Sequence, residues 1–240
     1  MSWITDPQAW IALFTLTMLE IVLGIDNIIF ITILVGRLPP KKRQAARVFG
    51  LAFAMITRIA LLLSIVWVMR LTAPIFTLFD NEFSGRDLIL IVGGLFLLAK
   101  STHEIHSSME EPGDKKLPNV KKIKTQFIGM IIQIGLIDII FSIDSVITAV
   151  GLVTQVPIMI IAVVIAVLVM MFSAKVIGDF VDAHPTIKML ALSFLILVGV
   201  ALIGEGFDMH IPKGYIYFAM AYSLGVEVLN IKLRAKKLSR

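Results

Sequence analysis

Long apolar runs separated by short polar connections dominate the chain. The runs fall near Trp10–Leu34, Val48–Met69, Leu88–Ala99 with a continuation to about His103, Phe127–Val153, Ile158–Val176, Ile187–Ile203 and Tyr215–Leu229. A bilayer's hydrocarbon core, about 30 Å thick, is crossed by a helix of about 20 apolar residues. Each run therefore predicts a membrane-spanning helix, seven in all. The longest connection, Ser107 to Lys124, contains Glu110-Glu111-Pro112-Gly113-Asp114-Lys115-Lys116 and reads as a flexible linker. Met1 to Gln8 has no Lys or Arg, and no small-residue cleavage site follows the first run. Span one is therefore expected to stay in the mature protein.

Composition turns this pattern into a class. Of 240 residues, 58% are hydrophobic and 16% are charged, against about 45–50% and about 25% in soluble domains. Seven spans need about 140 apolar positions, nearly all that the chain has. A soluble enzyme with one core, a disordered chain and a β-barrel of alternating polarity are excluded. With no Cys, there is no disulfide framework, thiolate metal site or cysteine nucleophile.

The net charge of +5 is a matter of topology. Arg37, Lys41, Lys42, Arg43 and Arg47 lie in the first connection, and Lys115, Lys116, Lys121, Lys122 and Lys124 in the third. Lys188 lies in the fifth, and Lys232, Arg234, Lys236, Lys237 and Arg240 in the tail, 16 on one side. The other side has Arg70, Arg86 and Lys213. By the positive-inside rule the N-terminus is expected outside and the C-terminus in the cytoplasm, in a bacterial-type plasma (inner) membrane. Trp3, Trp10, Trp67, Tyr215 and Tyr217 fall at the expected outer interface. The basic residues signal orientation, not nucleic-acid binding.

The chain also contains a duplication. Span one carries Glu20-Ile-Val-Leu-Gly24-Ile-Asp26-Asn27-Ile-Ile, and span four carries Asp138-Ile-Ile-Phe-Ser142-Ile-Asp144-Ser145-Val-Ile. Both read acid, three apolar residues, a small residue, Ile, Asp, an amide or hydroxyl, then two β-branched residues. Three spans per unit is an odd number, so the second unit enters from the opposite side. The expected fold is all-α, seven transmembrane helices built as an inverted 3+3 repeat plus one, the plan by which transporters hold substrate at the midplane. Residues 1–106 form the first repeat, 107–124 a cytoplasmic linker, 125–210 the second repeat, and 211–240 the seventh helix and basic tail.

With Val22 and Ile140 as span centres, Glu20 and Asp138 lie about 3 Å from the midplane and Asp26 and Asp144 about 6 Å. Each acid costs about 2.5–3.5 kcal/mol to place at a helix centre. Either they pair with Arg58, Lys100 or Lys175 as buried ions, or face water, or they form a functional site. Recurrence in both repeats favours the site. Glu20 and Asp26 stand about 120° apart on a regular helix. They converge if the backbone unwinds near Gly24, and likewise near Ser142 in span four. Two regular helices with acids staggered along a path are the alternative. With Asn27 and Ser145 the donor set is all oxygen and suits hard divalent cations such as magnesium, calcium and manganese. His103 and His106 have ligand-compatible spacing at a span end, where a polar anchor is the simpler role. Glu104, Asp179, Asp182, Glu205 and Asp208 flank spans and read as solvated ends or vestibule groups.

The two acidic motifs resemble the paired signatures of the TerC family of integral membrane proteins, and the similarity extends through Phe172 to Asp182 and Pro212 to Phe218. That family, named for tellurite resistance, belongs among the LysE-like exporters. The resemblance implies manganese efflux and metal homeostasis, with Glu20, Asp26, Asn27, Asp138, Asp144 and Ser145 as ligands. The expected activity is secondary active export of a divalent cation, manganese first, coupled to proton entry, with no tightly bound cofactor and no catalytic step. The partners are the metal ion and the lipid bilayer. An intramembrane aspartyl protease fits poorly, because Gly24-Ile-Asp26 is not Gly-x-Gly-Asp and four acids exceed a dyad. A non-transporting scaffold or tellurite-type stress factor is the alternative.

Overall fold

The computed structural model describes residues 6–36, 38–78, 81–110, 120–153, 155–209 and 211–238. Seven helices among them are long and apolar enough to cross a membrane. Proline sets several starts, since its missing N–H costs nothing in a first turn. α1 (Pro7–Val35) opens on Pro7, with Asp6 accepting from Gln8 N at 3.0 Å; α2 (Pro40–Leu63) opens on Pro40. After Ser64 a short α3 (Ile65–Arg70) continues the second span. That span is therefore broken, where the apolar run predicted one helix. The Ser64 hydroxyl turns back onto the carbonyls of Ala60 and Leu61, which bends helices.

An antiparallel hairpin of β1 (Pro74–Leu78) and β2 (Asn81–Ser84) then precedes α4 (Gly85–Glu110). The hairpin adds strand to the all-helical expectation. Phe83 stacks on Phe76 and meets Phe207 edge-on, pinning it to the end of the bundle. α5 (Val120–Leu152), α6 (Val156–Ala183), α7 (Pro185–Gly206) and α8 (Lys213–Leu238) complete the chain.

α1 packs along α6, α2 along α5 and α6, and α4 along α7, while α8 leans on α7 alone among its principal contacts. Glycine permits the closest approach. A Cβ on Gly94 would stand 2.5 Å from the Gly199 carbonyl oxygen, and one on Gly199 would stand 3.0 Å from the Gly94 oxygen. The interior is filled by residues such as Leu16, Ile33, Leu51, Leu97, Ile137 and Ile158. Phe172 is 83% exposed and Phe218 72%, as expected of side chains that face lipid tails.

Helix directions follow from the ends. Arg43 near the start of α2 donates to the Gly36 carbonyl just past α1 and to Asp182 at the end of α6, so those termini share one face of the bundle. α5 ends where α6 begins, across only residues 153–155. α1 and α5 therefore run antiparallel.

Candidate functional site

Glu20 on α1, Arg58 on α2 and Asp138 on α5 converge inside the bundle, exposed by 3%, 3% and 4%. The Arg58 fork bridges the two acids. Its Nη1 donates to Glu20 Oε2, its Nη2 to Asp138 Oδ1 at 2.9 Å, and its Nε to Ser142 Oγ at 2.9 Å. Ser142 sits one turn beyond Asp138 on the same face of α5, and its hydroxyl donates to Asp138 Oδ2 at 3.2 Å. Asn27 Nδ2 donates to Asp138 Oδ1 at 3.3 Å from α1. Thr57 Oγ1 has one proton and two acceptors. The Ala54 carbonyl at 2.9 Å is the better placed, ahead of Asp138 Oδ2 at 3.4 Å.

Two carboxylates around one guanidinium make a site of formal charge −1. Planar bidentate geometry suits Arg to such a bridge in a way that a Lys point charge does not. Of the three cations weighed as partners, Arg58 is the one that bridges Glu20 and Asp138. Lys175 is exposed and pairs with Asp179 at 2.8 Å on its own helix, and Lys100 stands partly buried on α4. Ser145 is buried, and its hydroxyl turns back onto the Ser142 carbonyl at 3.3 Å. The side chains of Asp26 and Asp144 lie outside the described residues, although their backbones are helical beside Asn27 and Ser145. Among the described residues, no three His, Cys, Asp or Glu side chains form a ready-made metal cluster.

Neither motif unwinds. α1 passes through Gly24 and α5 through Ser142 as continuous helix, so the helix-break reading of Gly24 and Ser142 is corrected. Gly24 is used for its size, since a Cβ there would fall 2.2 Å from Met170 Sδ on α6. Ser142 serves through its hydroxyl, between Arg58 and Asp138.

Two pockets flank the triad. One, of ≈ 370 Å³ counted with the space open to its surroundings, is lined by Asn27, Ile31, Ala54, Asp138 and Arg58 among others. It lies towards the C-terminal half of α1. The second, ≈ 660 Å³, is lined by Arg58, Ser145, Ala201, Glu205 and Tyr217 among others. It lies towards the ends of α5 and α7. Since α1 and α5 are antiparallel, the pockets lie in opposite halves of the bundle.

A family model described as the integral membrane protein TerC family matches residues 5–239. The chain belongs to the TerC family. It is 60% identical over 233 residues to a UPF0053 protein of Haemophilus influenzae, covering 97% of this chain and 98% of that protein. It is 61% identical over 236 residues to the UPF0053 inner membrane protein YgdQ of Escherichia coli K12, covering 98% of each. The UPF0053 inner membrane protein YoaE of the same organism is 48% identical over 230 residues, and this chain matches 44% of its length. No solved structure matches the chain.

In this TerC protein the flanking charges do more than meet solvent. Arg47 is 2% exposed and donates to Asp179 at 3.3 Å and Asp182 at 3.1 Å, tying α2 to α6 beside Gly178. Arg86 binds Glu205 at 2.8 Å at the opposite end, beside the larger pocket. Glu104 is buried, whereas His103 and His106 are exposed on α4. Sequence reasoning missed Thr57, whose only signal was its place beside the lone cation of span two.

Proposed function

We propose that this TerC protein is a secondary active exporter of a divalent cation, with manganese as substrate and inward proton flow as driving force, and that it is not an enzyme. The observation that carries the reading is the meeting of Glu20 and Asp138, the leading acids of the two motifs, at one buried point between pockets in opposite halves of the bundle. An inverted repeat accounts for much of the packing, although α1 on α2 and α6 on α7 lack counterparts among the principal contacts. Exchanging the units turns α1 on α6 into α5 on α2, turns α1 on α7 into α5 on α4, and leaves α4 on α7 and α2 on α6 unchanged, and each of these contacts is present. The antiparallel course of α1 and α5 supports the same relation.

Moving two positive charges out against an inside-negative potential costs about 4.6 kcal/mol per 100 mV, so export requires coupling. Carboxylates that give up protons as metal binds supply it, because both compete for the same oxygens. Asp26 and Asp144, next to the pocket-lining Asn27 and Ser145, complete the oxygen donor set with Glu20 and Asp138. We place the protein in the inner membrane with its basic end in the cytoplasm, in keeping with the name of YgdQ and the positive-inside rule.

One observation favours the scaffold reading: among the described residues, Arg58 already compensates Glu20 and Asp138 to within one unit of charge without a cation. Reconstitution decides between them. Purified protein in liposomes with an imposed pH gradient should move manganese, and Asp26→Asn or Asp144→Asn should stop the flux with insertion intact. Equal flux in protein-free liposomes would leave the scaffold reading.

A further inference from the structure

Arg58 has a position that charge compensation alone does not require: it lines both pockets. On one side its neighbours are Asn27 and Asp138; on the other they are Ser145 and Glu205. Asn27 lies seven positions past Glu20, about 10 Å along α1, and Ser145 lies seven positions past Asp138 along the antiparallel α5. Each pocket thus holds the amide or hydroxyl of one motif, and the two approach the same guanidinium from opposite ends.

We propose that the Arg58 side chain is the partition between the two vestibules and the resident cation of the midplane acids, which a transported cation displaces. The proposal rests on the transport reading. A divalent ion arriving at Glu20 and Asp138 meets a positive group already bridging them through its two terminal nitrogens. It gains the carboxylate oxygens only as Arg58 withdraws, because like charges repel strongly where water is scarce. Withdrawal releases the clamp that joins α1, α2 and α5, so occupancy by the substrate and opening of the path are one event. An empty protein keeps the guanidinium in place, which closes the path to other ions. Arginine suits this exchange, since guanidinium is more weakly hydrated than ammonium and stays charged throughout.

The chain has no Cys, so single thiols can be read without background. Ile31→Cys labels one pocket and Ala201→Cys the other, each tested in oriented vesicles with a small, membrane-impermeant thiosulfonate applied from either face. The expected result is that the two thiols react from opposite faces, and that Arg58→Ala raises the rate at Ala201→Cys from the formerly closed face at least tenfold. Should Arg58→Ala fail to accumulate, the charge-neutral set Glu20→Gln, Arg58→Met and Asp138→Asn takes its place with the same expectation. Unchanged sidedness after loss of Arg58, or both thiols reacting from one face in the unaltered background, overturns the proposal. Liposomal manganese flux separates the two ideas. Flux with unchanged sidedness defeats the partition and keeps the transporter; no flux with opened sidedness keeps the partition and defeats the transporter.

Discussion

Asn27 Nδ2 stands 3.3 Å from Asp138 Oδ1, so the polar partner of the first acidic motif serves the leading acid of the second. The reciprocal contact does not form, because the Ser145 hydroxyl turns back onto its own helix at the Ser142 carbonyl. Two motifs that read alike thus play unequal parts in this state: Asp138 gathers donors from α1, α2 and α5, and Glu20 takes one arm of Arg58.

That inequality sets the first prediction. Asn27→Ala removes a donor from a buried carboxylate and should lower stability by about 1–2 kcal/mol. Ser145→Ala removes only a local bond between a side chain and its own helix, and should cost less than about 0.5 kcal/mol. Thermal unfolding of both variants in one detergent checks the order.

The acids should differ as well. Asp138→Asn turns one of its acceptor oxygens into an NH2 donor amid the hydrogens of Arg58, Asn27 and Ser142. Breaking a buried pair in this way costs about 3–5 kcal/mol. Glu20→Gln keeps an oxygen for Arg58 and leaves the Asp138 bridge whole, so about 1–2 kcal/mol is expected. Both should abolish manganese flux. Equal melting losses would mean that Asp138 is not the hub.

The seven spans were legible because nothing but a bilayer accommodates such long apolar runs, and the correspondence of Glu20 with Asp138 was legible because the motif repeats. Arg58 was legible only as one of three cations. Choosing it over Lys100 and Lys175 needed the approach of α2 to α5, which no local pattern encodes. Gly24 was read for backbone freedom when the fold uses its missing side chain, a distinction that depends on Met170 far along the chain. The break at Ser64 carries no Pro or Gly. The hairpin at Pro74–Ser84 is held by Phe76, Phe83 and Phe207, a contact of distant partners.

At the basic end, Asp182 and Asp179 should separate in the same manner. Asp182 receives both Arg43 and the buried Arg47, whereas Asp179 is half-exposed and shares its charge with the surface Lys175. Asp182→Ala leaves the buried Arg47 guanidinium with only its longer contact to the half-exposed Asp179 and should cost about 2–4 kcal/mol. Asp179→Ala loses pairs worth up to about 1 kcal/mol. Added salt should narrow the Asp179 effect and spare most of the Asp182 effect, as salt screens exposed pairs far more than buried ones. Unfolding midpoints at low and high salt test both statements.

The glycines offer the sharpest comparison, because one faces a flexible side chain and the other faces backbone. At Gly24 an added Cβ meets Met170 Sδ at 2.2 Å and Cε at 3.0 Å, both at the free end of a side chain with several rotatable bonds. Met170 can turn aside, and alanine regains about 1 kcal/mol of helix propensity, so Gly24→Ala should come out within about 1 kcal/mol of the parent. At Gly94 the Cβ would meet the Gly199 carbonyl oxygen at 2.5 Å and the Ile203 amide nitrogen at 3.1 Å, neither of which can move without its helix. Separating α4 from α7 forfeits contacts along the whole crossing. The cost is that of overpacking, about 1–3 kcal/mol or more, and it exceeds the propensity gain. Gly24→Val should fall between them, since its branched carbon removes the room into which Met170 would turn. Melting in detergent should rank Gly24→Ala above Gly24→Val above Gly94→Ala. If Gly94→Ala melts with Gly24→Ala, the crossing of α4 and α7 is compliant and the close approach of Gly94 to Gly199 does not hold the bundle.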